Sequence, residues 1–134
     1  MVGEHVFLMR DDQPWEHGIV EGQWFVEVNG TFYLFYSGSG YASSDYSVGV
    51  AKSDKALGPY KKYENNPILK TKPVQTSKSW EGPGHCSVVK SPESKWLMFY
   101  HAWPYKAIGT KRLMLLDEVK FEGEWPTVND GSPS

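Results

Sequence analysis

The stretch WFVEVNGTFYLFYS, residues 24–37, decides the fold class. Two runs rich in aromatic and β-branched residues flank Asn29-Gly30, a dipeptide that strongly favours a two-residue hairpin turn. The stretch therefore predicts two antiparallel strands. A short apolar run over 47–52, a turn at 55–59 and a polar run near 60–63 extend this hairpin into a four-stranded meander.

The same pattern returns 64 residues further along the chain. FYLFYS at 32–37 matches WLMFYH at 96–101, and VGVA at 48–51 matches RLML at 112–115. A repeat of this length with four strands per unit is typical of β-propeller blades. A β-sandwich with two hairpins that are similar by chance is the alternative.

These patterns predict an all-β chain, a partial β-propeller of about two four-stranded antiparallel blades. The single domain, 1–134, divides into a leftover outer strand and loop (1–19, with the strand at 6–9), a first blade (20–69) and a second blade (80–130). No segment shows a sustained helical period, so very little helix is expected. Because two blades leave sheet faces and edges uncovered, we expect a homodimer or higher homo-oligomer.

Composition excludes several classes of protein. The formal net charge of −2 argues against binding to nucleic acid, and the single cysteine, Cys86, excludes a disulfide scaffold and a multi-thiolate metal site. No apolar run approaches the roughly 20 residues that cross a bilayer. The start, MVGEH, lacks the features of a signal peptide, so the default expectation is a cytoplasmic protein.

Seven short motifs extend the description to most of the chain. They are VEGQW (20–24), FYLFYSG (32–38), YASSDYSVGVAKS (41–53), GPY (58–60), NPIL (66–69), GPGH (82–85) and YHA (100–102). In this order they resemble the C-terminal part of glycoside hydrolase family 43, whose members are five-bladed β-propellers. The resemblance implies a glycosidase that removes terminal arabinosyl, xylosyl or galactosyl residues from plant-type polysaccharides or oligosaccharides.

The resemblance also implies a catalytic role for Glu21. The family hydrolyses with inversion and uses three carboxylates, of which only the general acid has a counterpart here, at Glu21. Without the resemblance, Glu21 would be interpreted as a solvated side chain beside a turn glycine, and Gln23 replaces the proline usual in the family. Asp11, Asp12 and Asp45 are the candidates for a base, and all three are interpreted as structural or solvated residues.

Other residues match positions near the sugar. His85 matches a histidine that often contributes to a bound calcium or a water cluster, and Arg112 matches an arginine that contacts sugar hydroxyls. A hydrogen-bonded structural histidine and a surface arginine are the alternatives. Four side chains are expected either to line the sugar pocket or to fill the blade core: Trp24, Tyr36, Ser37 and Tyr46. The same two alternatives hold for His101 and Trp103.

Three functions remain open from the sequence. The first is a small exo-acting glycosidase that requires no cofactor, with a calcium ion near His85 left open by the resemblance. The second is a non-catalytic carbohydrate-binding or vestigial propeller fragment that lacks the general base. The third is a piece of a longer enzyme. Cys86 is expected to be a small buried residue and not a nucleophile.

Overall fold

The computed structural model describes residues 3–73 and 76–134, which form two four-stranded antiparallel sheets. The first sheet contains β1 (Val20–Val28), β2 (Thr31–Gly38), β3 (Ser47–Ser53) and β4 (Lys61–Lys62) in chain order. The second sheet contains β5 (Trp80–Lys90), β6 (Trp96–Pro104), β7 (Leu113–Lys120) and β8 (Thr127–Val128), also in chain order. The predicted pair of blade-like meanders is confirmed, and the repeated aromatic runs form β2 and β6.

The predicted hairpin turn is present between β1 and β2. Asn29 and Gly30 have φ angles of 52° and 79°, and the flanking Val28 and Thr31 pair with each other. Left-handed conformations at both central residues are what a two-residue turn of this kind requires. Asparagine and glycine adopt them at low cost, so the dipeptide fixes the register of the hairpin.

Helix is almost absent from the described residues, as predicted. Only Pro14–Glu16 forms one turn of 3-10 helix there. Within residues 3–73 and 76–134, no helix has the length and apolarity that crossing a membrane would take.

The outer strand predicted at 6–9 does not form. The segment passes beside Pro59, Tyr60 and Lys62 at the edge of the first sheet. Pro59 has no N–H to donate, and the Lys62 side chain, not a main-chain N–H, donates to the carbonyl of Arg10. Without a ladder of main-chain hydrogen bonds, the segment lies against the edge in an irregular conformation.

The core lies between the two sheets. Phe35, Val48 and Val50 on the first sheet are fully buried, and they belong to one cluster with Val88 and Met98 of the second. Such burial contributes roughly 1.5–3 kcal/mol for each large apolar side chain. This core holds the two sheets face to face.

The opposite face of the second sheet carries apolar side chains that nothing in the described chain covers. We call it the outer face; it comprises Val89, Leu97, Phe99, Met114 and Leu116. In the repeat, Met114 corresponds to Val50, yet Met114 is 78% exposed whereas Val50 is 0% exposed. The first sheet thus has its equivalent face covered by a neighbouring sheet, and the second sheet does not.

Candidate functional site

A bulge in β1 directs Glu21 towards the second sheet. Glu21 pairs with Ser37 and Trp24 pairs with Phe35, so β1 contains one residue more than β2 over this interval. Gly22 in the bulge has a φ of 59°, and a Cβ there would lie 3.2 Å from the Cα of His85. Only glycine combines this conformation with so close an approach.

A hydrogen bond from a main-chain N–H to a side-chain hydroxyl links the two sheets beside Glu21. The N–H of His85 donates to the Ser37 hydroxyl at 2.7 Å, and Ser37 is buried. His85 itself has a φ of 54° and an exposed side chain. A left-handed non-glycine residue stores strain, and such residues occur often at functional sites.

Tyr46 holds the carboxylate of Glu21. The Tyr46 hydroxyl donates to Oε1 of Glu21 at 2.7 Å. Burial, together with the hydrogen bond to Glu21, raises the pKa of Tyr46 well above its usual value, although the Ser37 hydroxyl and Arg112 act in the other direction. Tyr46 is therefore a proton donor in this hydrogen bond throughout the physiological pH range.

His101 and Arg112 complete the cluster. The rings of Tyr46 and His101 stack with centroids 5.6 Å apart and planes only 4° from parallel. Nη1 of Arg112 lies 2.9 Å from Nε2 of His101. Because a guanidinium only donates, Nε2 must be the acceptor and the ring proton must sit on Nδ1, which is buried without a partner among the described residues.

His101 is neutral in the folded protein near pH 7. Burial, together with the electrostatic influence of Arg112 and His85, lowers the pKa of His101 to about 4. The Arg112 guanidinium also lies over the rings of Tyr41 and Trp103, with centroid distances of 5.2 and 5.6 Å. This packing fixes the plane of the guanidinium and leaves its remaining donors for a ligand.

Five residues predicted from the sequence thus meet at the junction of the two sheets. We call them, with His101, the Glu21 cluster; its members are Glu21, Ser37, Tyr46, His85, His101 and Arg112. A cavity of about 200 Å³ continues from the cluster onto the outer face, and its walls include His85, His101 and Met114. Of the cluster, His85 and His101 line this cavity, and a carboxyl group and a fork of donors beside them suit the binding of a polyhydroxylated ligand.

Tyr36 does not belong to this cluster, contrary to the expectation that it lines the sugar pocket. Neighbouring residues of a strand point to opposite faces, so Tyr36 and Ser37 cannot share one. The Tyr36 hydroxyl donates to Glu16 at 2.7 Å, and Lys62 is 2.6 Å from the same carboxylate oxygen. Tyr36 is a fully buried member of a polar network on the far side of the first sheet.

Trp24 also lies apart from Glu21, again contrary to its expected place in the pocket. Its indole N–H donates to the carbonyl of Val88 at 2.6 Å, so the ring bridges β1 and β5 further along the core. Trp24 links the two sheets and makes no hydrogen bond to the Glu21 cluster.

The candidates for a general base lie elsewhere. Asp12 forms an ion pair with Lys62 at 2.9 Å, Asp11 lies near Gly18, and Asp45 lines a separate cavity with Trp15. In the described part of the chain, no carboxylate besides Glu21 hydrogen-bonds to a member of the cluster. Glu21 is therefore the one carboxylate of the cluster as defined from the described residues.

The surroundings of His85 do not fit a calcium ion by themselves. Calcium takes six to eight oxygen ligands. The ring nearest to His85 in the cluster, that of His101, lies 6.3 Å away and carries nitrogen atoms, and the Arg112 guanidinium lies beside it. Among residues 3–73 and 76–134, no group of three His, Cys, Asp or Glu side chains is placed to hold a metal. His85 offers at most a single ligand.

Cys86, the residue after His85, points into the core. Its side chain is buried, and burial raises its pKa to about 12. A thiol that stays protonated and inaccessible cannot serve as a nucleophile. The expectation of a small buried residue is confirmed.

Sequence reasoning missed Tyr41 and left His101 undecided. The sequence carried one signal for the shared conformation at the start of β1 and β5. Glu21-Gly22 recurs as Glu81-Gly82 at the beginning of β5, and the two glycines have φ angles of 59° and 58°. The second copy is structural: Glu81 is buried and accepts a hydrogen bond from the N–H of Lys106 at 2.8 Å. Nothing local in the sequence indicates that Tyr46 and His101 stack.

Two blade-like sheets around this cluster define a partial β-propeller. The chain belongs to the glycosyl hydrolases family 43, whose model matches residues 2–126. A β-D-galactofuranosidase of Aspergillus niger is 26% identical over 102 residues, which are 75% of this chain and 28% of that protein.

Solved structures agree with this assignment. The crystal structure of a thermostable family-43 glycoside hydrolase has a TM-score of 0.86 at 34% identity, covering 98% of this chain and 44% of that chain. An endo-1,4-β-xylanase from Bacteroides thetaiotaomicron has a TM-score of 0.76 at 25% identity, covering 91% of this chain and 42% of that chain. The chain spans less than half the length of each of these relatives.

Proposed function

We propose that the chain carries the acid half of a glycosidase site that removes terminal arabinosyl, xylosyl or galactosyl residues, with Glu21 as the general acid. The observation that carries the proposal is the setting of Glu21, which belongs to a cluster that borders a cavity through His85 and His101 and has one oxygen held by Tyr46. The family membership supports glycoside hydrolysis as the reaction.

Inverting hydrolysis needs two carboxyl groups with different tasks. The protonated one gives its proton to the leaving oxygen, while an ionised one, roughly 6.5–9.5 Å away, activates the attacking water. Glu21 fits the first task. The donors of Arg112 fit the sugar hydroxyls, because the planar guanidinium is already held by His101 and two aromatic rings.

The test is hydrolysis of nitrophenyl α-L-arabinofuranoside, β-D-xyloside and β-D-galactoside by the wild-type protein and Glu21→Gln. Glu27→Gln is the matched control, because Glu27 lies on the same strand with an exposed side chain. We expect Glu21→Gln to lose at least about 100-fold in activity, in the range usual for general acids, and Glu27→Gln to lose none. Equal activity in both variants would refute the role of Glu21.

A non-catalytic carbohydrate-binding role is the second candidate. It is favoured by the absence of a second carboxylate among the hydrogen-bonded members of the cluster in the described residues. It predicts binding of the same sugars without hydrolysis, measurable by titration calorimetry. Arg112→Gln should weaken that binding, while Glu21→Gln should leave it nearly unchanged.

The base, in this proposal, comes from a second copy of the chain seated on the outer face. Met114 and Leu116 leave that face apolar, and Met114 pairs with His101, so a partner there borders the Glu21 cluster. The repeat supports such a partner, since the equivalent face of the first sheet is covered by another sheet. Self-association would thus cover an apolar surface and add side chains to the site.

A further inference from the structure

Tyr46 is placed to act on Glu21 but not on a sugar. Its side chain is 0% exposed, so a ligand cannot stack on its ring or reach its hydroxyl. Its sole hydrogen bond as a donor goes to Oε1 of Glu21, at 2.7 Å. Glu21, in contrast, is only partly buried, and its second oxygen, Oε2, has no hydrogen-bond partner among the described residues.

The Tyr46 ring cannot move away from this position. On one side lies Gly84, where even a Cβ would come within 2.1 Å of the ring atom Cε1. On another side lies His101, parallel to the ring and itself held by Arg112 at 2.9 Å. The hydroxyl is therefore delivered to Glu21 by a ring whose rotation is blocked by packing.

A fixed donor at one carboxylate oxygen decides which oxygen carries the acidic proton. An oxygen that accepts a hydrogen bond behaves as the carbonyl oxygen of the protonated acid, so the proton is placed on the other oxygen. With Oε1 taken by Tyr46, the proton of Glu21 sits on Oε2. That is the oxygen left free to approach a leaving group.

We propose that Tyr46 is a positioning residue that orients the acidic proton of Glu21, by occupying Oε1 so that Oε2–H faces the scissile glycosidic oxygen. The inference rests on the proposed function. In the step concerned, the proton passes from Oε2 to the glycosidic oxygen as the bond between that oxygen and the anomeric carbon breaks. The bonding pair stays on the oxygen, which leaves as a neutral alcohol, while the attacking water bonds to the anomeric carbon and gives its proton to the base. Glu21 becomes a carboxylate that Tyr46 still contacts.

Tyr46→Phe removes the hydroxyl and keeps the ring, and Tyr36→Phe is the matched control. Tyr36 is equally buried, and its hydroxyl also donates to a glutamate at 2.7 Å, but outside the Glu21 cluster. The two variants are compared on a phenyl glycoside, which needs protonation of its leaving group, and on the dinitrophenyl glycoside of the same sugar, which leaves readily without it.

We expect Tyr46→Phe to lower kcat/KM for the phenyl glycoside about tenfold, as the loss of one hydrogen bond of roughly 1.4 kcal/mol implies. The dinitrophenyl glycoside should be nearly unaffected. Tyr36→Phe should change both substrates by the same factor. If Tyr46→Phe also lowers both equally, its role is merely structural and the inference is overturned.

Failure of the proposed function is recognised separately. If Glu21→Gln hydrolyses both substrates as the wild type does, or if the wild type hydrolyses neither, that function is refuted.

The contact itself is then judged without turnover, from the side-chain carboxyl ¹³C signal of Glu21, assigned by its loss in Glu21→Gln. At a fixed pH of 7 that signal should move in Tyr46→Phe but not in Tyr36→Phe, because only the first variant loses the hydrogen bond to Oε1. A signal that stays in place in Tyr46→Phe would overturn the inference.

Discussion

The main-chain N–H of His85 donates a hydrogen bond of 2.7 Å to the hydroxyl of Ser37, and this bond joins the two sheets beside Glu21. Ser37 is buried and pairs with Glu21 across the first sheet. The serine thus connects the strand that carries the acid with the strand that carries the histidine.

Ser37→Ala should lower the free energy of unfolding by about 1–2 kcal/mol, because the His85 N–H loses its acceptor. Ser47→Ala is the control, since the Ser47 hydroxyl is also buried but donates to the carbonyl of Asp45. Urea unfolding should show a comparable loss for both. Amide hydrogen exchange at His85 should accelerate only in Ser37→Ala, and unchanged exchange there would contradict the assigned link.

The strands on either side of this link were largely predictable from the sequence, because their signals are local. Asn29-Gly30 fixes a turn by its own conformational preferences, and the repeat doubles the evidence for each meander. The strand expected at 6–9 failed because a strand requires a partner, and Pro59 with the Lys62 side chain removes the ladder there.

The composition of the site was predictable only in part. Glu21, His85 and Arg112 were found through the family resemblance, whereas Tyr36 was misplaced although strand alternation opposes its sharing a face with Ser37. The contact between Tyr46 and His101 joins different sheets. It depends on the register shifts between β5 and β6 that lie before and after Gly84. No local pattern in the sequence encodes such a contact.

Gly84→Ala should be strongly destabilising. The new methyl group would lie 2.1 Å from the Tyr46 ring, which His101 blocks from behind, so we expect a loss of about 3 kcal/mol, at the upper end for overpacking. Gly40→Ala is the control, because no atom lies within 4 Å of its new methyl group. Thermal unfolding of the two variants measures the difference, and similar midpoints would show that the Tyr46 ring is free to move.

His101 should make stability depend on pH. Its pKa is lowered in the folded protein to about 4, below the value of about 6.5 for an unfolded chain. Between these values the unfolded state binds more protons, so the contribution of His101 is fully present above pH 6.5 and is lost as the pH falls towards 4.

Unfolding free energies at pH 7 and pH 4.5 test this dependence. The decrease between the two should be smaller in His101→Gln than in the wild type, since glutamine does not titrate. His5→Gln, which removes an exposed histidine, should keep the decrease seen in the wild type. An undiminished decrease in His101→Gln would mean that His101 is protonated as easily when folded as when unfolded.

Met114→Lys should abolish self-association through the outer face. Met114 is the most exposed apolar residue of that face, and placing a charge there makes its burial against a partner costly. Leu57→Lys adds the same charge at another exposed apolar residue, in the turn before Pro59, and should leave the oligomer intact. Size-exclusion chromatography with light scattering measures both. A wild-type protein that is monomeric at all soluble concentrations would refute the proposed second copy.

The bulge in β1 means that this strand carries its two halves in opposite phase. Glu21 and Trp24 are three residues apart, a spacing that would send them to opposite faces of a regular strand, yet both face the second sheet. Removing one residue, such as Gly22, would leave Glu21 two residues before Trp24, so a regular strand would keep both side chains on the same face with their pairing unchanged. A substitution at Gly22 that straightened β1 with all its residues retained would instead turn Glu21 away from the second sheet while Trp24 kept its place, so the direction of this one carboxylate can change without a change of fold.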